Sequence, residues 1–295
     1  MAAAQTPPPL RAQGRARRRI VKNKVAELGA MVAAFGAVAV LGIVVWSVLQ
    51  RGIPALNLDL FIHVTSTFPQ PGDGIKNAIV GSIIVVALAA VFALPIGVMI
   101  AIYFSEFAHA QIKRYVQLSL DVLNGMPSIV IGIFVYALLV VGSGQAAWKG
   151  SFALAIIMLP LVARSTMEVL NLVPASLRQA SFALGVAKWR TVLFVIFPTV
   201  RGGILTGSTL AVARAAGETA PLLFTTSIFL NGVVTDPGQA MATLPFTIFV
   251  YSEAPSQTAN DQAWAAAFIL MVFVLVLSLT ARYLLTRSER KLKGR

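Results

Sequence analysis

Long apolar stretches separated by short polar segments run along most of this chain. A helix needs about 20 apolar residues to cross the roughly 30 Å of hydrocarbon in a bilayer. Six stretches reach or approach that length, at residues 30–48, 78–103, 116–141, 153–173, 204–229 and 263–281. The pattern predicts an all-α integral membrane protein with about six transmembrane helices.

The composition agrees with a membrane protein, because 57% of the residues are hydrophobic and only 12% are charged. Soluble domains are about 45–50% apolar, and a larger excess would leave extensive apolar patches on the surface. The chain has no cysteine, so disulfides and thiolate metal sites are excluded. His63 and His109 fall in predicted loops on opposite sides of the membrane, so we expect no metal site.

The basic residues predict the orientation of the chain. Twenty of the 24 lysines and arginines fall near the two ends of the chain or in segments that the predicted topology places on one side, which the positive-inside rule assigns to the cytoplasm. Only Arg51, Lys76 and Lys149 fall on the other side. We expect cytoplasmic tails at residues 1–26 and 288–295, a retained first helix at 27–50 and a transmembrane domain at 72–287. The net charge of +13 therefore favours contact with lipid headgroups over nucleic acid.

Prolines interrupt four of the predicted transmembrane helices. They are Pro95, Pro160, Pro221 and the proline of the segment 125–128, GMPS. A membrane tolerates the freed backbone groups only where neighbouring helices or a wet cavity satisfy them. One proline alone is most simply explained by packing, whereas four together favour bent helices around a substrate path.

Small residues recur at every fourth position of the fifth predicted helix. Such a stripe lets two membrane helices approach closely. It predicts a tight seam, within this chain or with a partner, along Gly203, Gly207, Ala211, Ala215 and Thr219.

The segment 174–199 predicts a cytoplasmic loop of two short helices between transmembrane helices four and five. Ser176 and Gln179 have the spacing of a capping box, and Gly185 is placed to end the first helix in a left-handed conformation. Pro198 is expected to stop the second helix. Exposed apolar side chains such as Phe182 and Leu184 would pack either on the chain's own membrane helices or on a partner.

The loop sequence 179–185, QASFALG, resembles the "EAA" loop of ABC importer permeases. The resemblance implies a coupling helix that docks on an ATPase subunit, although Gln179 replaces the usual glutamate and Ser181 the second alanine. The chain has no phosphate-binding P-loop motif. We therefore expect no cofactor in this chain and no enzymatic activity of its own, with ATP and magnesium bound by the partner ATPase. The implied contact residues are Gln179, Ala180, Ser181, Phe182, Leu184 and Gly185.

Two charges lie inside the fifth predicted helix. Arg214 and Glu218 are four residues apart, so they are expected to share a helix face. A charge near the middle of a bilayer costs roughly 2.5–3.5 kcal/mol, so neither should face lipid. They form either a mutual ion pair or a substrate site. A carboxylate beside an arginine would favour an oxyanion that carries a proton, such as hydrogen phosphate, over sulfate.

The surrounding sequence 213–222, ARAAGETAPL, resembles phosphate importer permeases of the PstA type. Segments 74–81, GIKNAIVG, and 125–130, GMPSIV, share the resemblance, which covers roughly residues 72–285. It implies a bacterial plasma-membrane complex with a PstC-type sister permease, two PstB-type ATPase subunits and a PstS-type phosphate-binding protein. Arg214 would contact phosphate, Glu218 would be its partner, and Thr219 would lend a hydroxyl.

Three alternatives remain open from the sequence. The same fold could carry sulfate or molybdate. A stand-alone secondary transporter would more often show internal duplication, which is not found. An intramembrane enzyme would need a convergent catalytic set, and both histidines are in loops. We expect ordinary topological or packing roles for Asp121, Arg164 and Glu168.

Overall fold

The computed structural model describes residues 15–66, 69–226 and 232–293. Helices α1 to α6 are Arg15–Gly52, Asp59–Ile62, Lys76–Ile102, Ala110–Gly125, Ser128–Val135 and Ala147–Asn171. Helices α7 to α12 are Ala175–Ala183, Lys188–Thr191, Phe197–Ala216, Ala220–Thr225, Leu244–Glu253 and Gln257–Lys293. Single π-helical turns extend α3, α5 and α8, at Tyr103–Phe107, Tyr136–Val140 and Val192–Ile196. These ranges contain no strand, and the predicted all-α class is confirmed.

Five helical runs in the described ranges are long and apolar enough to cross a membrane. They are Arg18–Gly52, Lys76–Phe107, Ala147–Asn171, Lys188–Ala216 and Gln257–Thr280. A sixth span is obtained if α4 and α5 count as one, although they meet at an angle of 97° across Met126 and Pro127. The prediction of about six helices is confirmed. The predicted third transmembrane helix is broken at Pro127, the proline of the GMPS segment.

Helix α1 up to Gln50 forms one compact unit, and residues 51–295 form a second. Every described side chain from Arg18 to Val44 is exposed, and the apolar part of this helix has a mean hydropathy of 2.5. The apolar part of α1 has apolar side chains on all of its faces, and no other part of its unit covers them. Such a surface is suited to contact with lipid.

The predicted fifth helix at 204–229 begins too late and does not run unbroken, and its last predicted residues, 227–229, lie outside the described ranges. The observed run begins at Lys188 and ends at Ala216, and a separate short helix, α10, follows. Pro198 does not stop the run, because it lies in the first turn of α9, directly after a π-helical turn. Proline has no backbone N–H, but the N–H groups of the first helical turn have no carbonyl partner within the helix. Proline is therefore tolerated there.

The remaining prolines that were predicted to interrupt transmembrane helices occupy two kinds of position. Pro95 and Pro160 lie inside α3 and α6, as predicted. Pro221 instead lies in the first turn of α10, so the prediction that it interrupts a continuous fifth helix is wrong. Its restricted backbone is compatible with starting a new helix after a break.

The small-residue stripe of α9 packs against α6. A methyl group built on Gly203 would lie 2.6 Å from Cγ1 of Val169, and one on Gly207 would lie 2.6 Å from Cβ of Ser165. Such distances leave no room for a side chain, so the predicted seam is confirmed within this chain. Thr219 lies beyond the end of α9 and takes no part in the helix.

Candidate functional site

Arg214 and Glu218 lie on opposite sides of a helix end. Helix α9 ends at Ala216, Gly217 forms its C-terminal cap, and Thr219 precedes α10. The prediction that the two charges share one continuous helix face is therefore wrong. Pro221 is compatible with this break, because it lies in the first turn of α10, a position that proline favours.

A cavity of about 100 Å³ brings the two charges together with the break between α4 and α5. A cavity needs only about 10–15 Å³ by this measure to hold one water, so this one has room for a small polyatomic ion. Apolar side chains of α4, α5 and α6 form much of the wall. The lining residues are Leu123, Asn124, Met126, Ser128, Ile131, Ile157, Leu161, Arg214 and Glu218.

The polar groups of the cavity come from two broken helices. Arg214 and Glu218 flank the end of α9, while Asn124 and Ser128 flank the break between α4 and α5. Asn124 and Ser128 were not among the sequence-predicted site residues. Ser128 belongs to the GMPS segment and Asn124 directly precedes it; that segment was interpreted as a helix bend and as part of the family resemblance, with no site role for either residue. Thr219 is not part of the cavity wall.

Arg214 and Glu218 do not form an ion pair with each other. Across the described ranges, neither side chain makes an ion pair or a hydrogen bond with another protein group. Arg214 is exposed on the surface of the chain and Glu218 is half-buried. A guanidinium and a carboxylate are thus both available to a third group in the cavity, one as a donor and the other as an acceptor.

Close packing of α5 on α10 holds the two breaks side by side. A methyl group on Gly132 would lie 2.7 Å from Cα of Pro221, so only glycine allows this approach. The rings of Tyr136 and Phe224 meet edge to face, with centroids 6.3 Å apart.

An ion pair between Asp121 and Arg164 joins α4 to α6 beside the cavity. Asp121 is three residues before Asn124, and Arg164 is three residues after Leu161, so each partner is about one helical turn from a wall residue. The pair connects two walls of the cavity, which is a packing role of the kind expected from the sequence.

The loop at 174–199, which the family resemblance assigns to contact with an ATPase and which we call the coupling loop, presents an exposed apolar surface. Phe182 and Leu184 are 49% and 81% exposed, so they are not covered by the chain's own membrane helices. Gln179, Ala180 and Gly185 are also exposed. These residues form one end of α7 and the turn after it, which is an arrangement suited to a protein partner.

The ends of α7 differ in how well they follow the sequence prediction. The capping box is wrong, because the helix begins at Ala175 after Pro174, which places Ser176 inside the first turn. The left-handed cap is confirmed, since Gly185 has φ +72°. The N–H of Val186 donates to the carbonyl of Ser181 at 3.1 Å, and that of Gly185 to Phe182 at 2.9 Å. These two bonds define a Schellman motif.

Ser181 has a role that its likeness to alanine did not suggest. It is buried, and its hydroxyl lies 2.7 Å from the hydroxyl of Thr191 on α8. This hydrogen bond closes the loop by joining its two helical arms.

The segment 74–81 ties the predicted external loop to α3. The Asn77 carboxamide accepts from the Thr65 N–H at 2.8 Å and donates to the Thr65 hydroxyl at 2.6 Å. The Tyr251 hydroxyl of α11 donates to the carbonyl of Ser66 at 2.7 Å, and burial raises the pKa of Tyr251. These bonds anchor the loop before α3 to both α3 and α11.

Comparison with known proteins identifies the family. The profile of the family described as "Binding-protein-dependent transport system inner membrane component" matches residues 93–294. The chain is also 38% identical to a phosphate transport system permease protein PstA of Pasteurella multocida, over 92% of this chain and 97% of that one. The chain belongs to the PstA family of permeases. A PstA relative of Haemophilus influenzae is 40% identical, over 81% of this chain and 85% of its own length.

Solved structures share the fold of this PstA-family chain. A bacterial ABC transporter involved in the import of the acidic polysaccharide alginate matches with a TM-score of 0.65 and 12% identity, over 93% of this chain and 99% of that one. The inward-facing MetNI methionine ABC transporter matches with a TM-score of 0.58 and 15% identity, over 70% and 93%. The chain is therefore a multi-pass membrane protein with the fold of an ABC importer permease.

Proposed function

We propose that this chain is the PstA-type membrane subunit of an ATP-driven importer of inorganic phosphate, and that the cavity at Arg214 forms part of its translocation pathway. The observation that carries the proposal is that a cavity lined by Arg214 and Glu218 occurs in a chain whose curated relatives are phosphate permeases. The complex would contain a PstC-type sister permease, two PstB-type ATPases and a PstS-type binding protein.

The exposure of Arg214 supports a second membrane subunit. Arg214 lies thirteen residues beyond Arg201 in α9, which corresponds to about 20 Å of helix rise. With Arg201 near the cytoplasmic surface, the guanidinium lies within the hydrocarbon layer, where contact with lipid is costly. A sister permease that covers this side would place the arginine in a wet passage between the two subunits.

The chemistry of the cavity supports phosphate as the substrate. The Arg214 guanidinium can donate two parallel hydrogen bonds to one oxyanion, and the Asn124 amide and Ser128 hydroxyl can supply neutral donors. The Glu218 carboxylate can accept a hydrogen bond from the hydroxyl group of hydrogen phosphate. A fully ionised sulfate has no hydroxyl to donate and would be repelled by the negative charge of the carboxylate. Because Arg214 and Glu218 are not paired, an ion can reach both without first separating them.

The coupling loop would receive the ATPase. Its exposed Phe182 and Leu184 suit a hydrophobic cleft on a partner, and the Schellman turn at Gly185 fixes their direction. In this arrangement ATP and magnesium are bound by the partner, and this subunit performs no chemistry on the substrate. Both termini would lie in the cytoplasm, where their basic residues can contact anionic headgroups.

The first experiment replaces Arg214 in the complete importer. Arg214→Gln keeps a hydrogen-bonding side chain but removes the positive charge that the proposal assigns to phosphate binding. In vesicles that contain the purified complex, we expect basal ATP hydrolysis to persist and uptake of labelled phosphate to fall to background.

The matched control is Arg201→Gln, an exposed arginine on the same helix that does not line the cavity. It should transport phosphate at the unsubstituted rate. Near-normal uptake by Arg214→Gln would contradict the assignment of the pathway.

A further inference from the structure

Arg178 makes the largest set of side-chain hydrogen bonds in the described coupling loop. Its Nε donates to the two carboxylate oxygens of Glu106 at 3.1 and 3.3 Å, and its Nη2 donates to Oε1 at 2.7 Å. The same guanidinium donates to the carbonyls of Val173 at 2.8 Å and Leu170 at 3.0 Å. All three of its nitrogens are used.

These hydrogen bonds join three different parts of the chain. Arg178 is on α7, and Glu106 is in the π-helical turn that ends α3. The carbonyl of Leu170 is in the last turn of α6, and that of Val173 lies two residues beyond the end of α6. The last carbonyls of a helix have no partner within the helix, and a cation there is favourable. One side chain therefore joins the coupling helix to the ends of two membrane helices.

The contact is protected from solvent. The Glu106 side chain is 6% exposed and that of Arg178 is 25% exposed. A charged pair removed from water is held strongly only when its remaining hydrogen-bonding groups are satisfied, and here the two backbone carbonyls satisfy the other guanidinium donors. A flexible surface ion pair would not hold α7 in one orientation.

One of these two membrane helices, α6, leads to the candidate cavity. Ile157 and Leu161 of α6 line it, and α9, which carries Arg214, packs on α6 at Gly203 and Gly207. A displacement of α7 is thus delivered through Arg178 to a helix that forms the cavity wall.

We propose that Arg178 is a positioning residue that, through Glu106 and the end of α6, transmits movement of the coupling helix to the substrate pathway. The proposal rests on the proposed function, since it needs an ATPase that acts on α7. It assigns a specific role to a residue that the sequence marked only as a cytoplasmic positive charge.

The test measures phosphate transported per ATP hydrolysed by the complete complex in vesicles. Arg178→Lys keeps the charge but cannot reach Glu106 and two carbonyls together, and Glu106→Gln keeps the shape but removes the charge. Each should lower the ratio by at least about fivefold, the lower end of typical coupling effects, while ATP hydrolysis stays within about twofold. Because both act through one contact, the double variant should be no worse than the worse single variant.

Arg201→Lys is the control, since Arg201 is exposed and has no ion pair in the described ranges. It should keep the unsubstituted ratio. An unchanged ratio in Arg178→Lys would overturn the proposal, and so would a parallel loss of transport, hydrolysis and complex yield, which indicates a folding role alone. Failure of the unsubstituted complex to accumulate phosphate would instead contradict the proposed function.

Discussion

At the scale of single residues, the proposed site assigns the discrimination between anions to Glu218. It is half-buried and lies beyond the end of α9, so its carboxylate is not neutralised by Arg214 one turn earlier. An unneutralised acceptor penalises any anion that brings no proton. Hydrogen phosphate brings one, and sulfate near neutral pH does not.

Replacing Glu218 by Gln should therefore weaken discrimination rather than binding. A carboxamide can both donate and accept, so the penalty on sulfate is removed while phosphate keeps a partner. We expect the preference for phosphate over sulfate to fall by about tenfold, equivalent to ~1.4 kcal/mol. Competition by unlabelled sulfate in the uptake assay measures this preference.

Glu168→Gln provides the comparison, because Glu168 is an exposed carboxylate on α6 away from the cavity wall. It should leave the preference unchanged. Equal sulfate competition in the Glu218→Gln and unsubstituted complexes would show that the carboxylate does not select the substrate.

At the scale of helices and loops, the coupling loop is held closed by a buried hydroxyl pair. The Ser181–Thr191 bond joins α7 to α8, and Thr191 also lies 3.4 Å from the carbonyl of Ala187. Loss of the Ser181 hydroxyl would leave the Thr191 hydroxyl with only this longer contact, whereas replacing both hydroxyls by apolar groups of similar shape can be nearly neutral.

Ser181→Ala should therefore destabilise the loop more than a double replacement does. We expect the single variant to cost about 1 kcal/mol and to lower the thermal midpoint by a few degrees. Ser181→Ala combined with Thr191→Val should return close to the unsubstituted midpoint. Thermal denaturation of the detergent-solubilised complex measures both. Thr209→Val controls for loss of a hydroxyl, because Thr209 is half-buried on α9 and its hydroxyl donates to the carbonyl of Leu205 in the same helix. A double variant less stable than the single would contradict this account.

Apolar length predicted where the helices are, but it could not locate their breaks. Residues 204–229 continue to be apolar through the break at Gly217, so the length rule joined α9 to α10. Gly217 and Pro221 carried the needed signal, yet both residues also occur inside transmembrane helices. Pro198 misled in the opposite direction, since a π-helical turn before it lets the helix continue.

The candidate site was predictable in its charges and not in its neutral partners. Arg214 and Glu218 stood out because charge is rare inside an apolar stretch. Asn124 and Ser128 are ordinary polar residues in sequence, and only the 97° bend at Met126 and Pro127 brings them to the cavity. The proposed role of Arg178 depends on its contact with Glu106, which lies 72 positions earlier in the sequence. Local sequence patterns do not predict contacts at that separation.

At the scale of the whole molecule, the distribution of charge predicts the orientation in the membrane. Arg18 lies at the basic start of α1, and Glu253 lies at the end of α11, in a segment that the predicted orientation places outside the cytoplasm. Both residues are exposed, and the absence of cysteine from the chain makes each a clean site for labelling.

A membrane-impermeant thiol reagent should distinguish these two positions. In right-side-out vesicles, we expect Glu253→Cys to be labelled and Arg18→Cys to be protected until the membrane is permeabilised. In inverted vesicles the pattern should reverse. Labelling of Arg18→Cys from outside would contradict the cytoplasmic assignment of the N-terminus.

The uninterrupted helical run of 29 residues from Lys188 to Ala216 has a mechanical consequence. At 1.5 Å per residue it is about 44 Å long, with the coupling loop at its near end and Arg214 close to its far end. A tilt of about ten degrees around the near end would sweep the guanidinium through roughly 7 Å, most of the width of a helix. In the proposed importer the run would act as a lever arm, in which a modest push by the ATPase would become a stroke long enough to carry Arg214 from one half of the passage to the other.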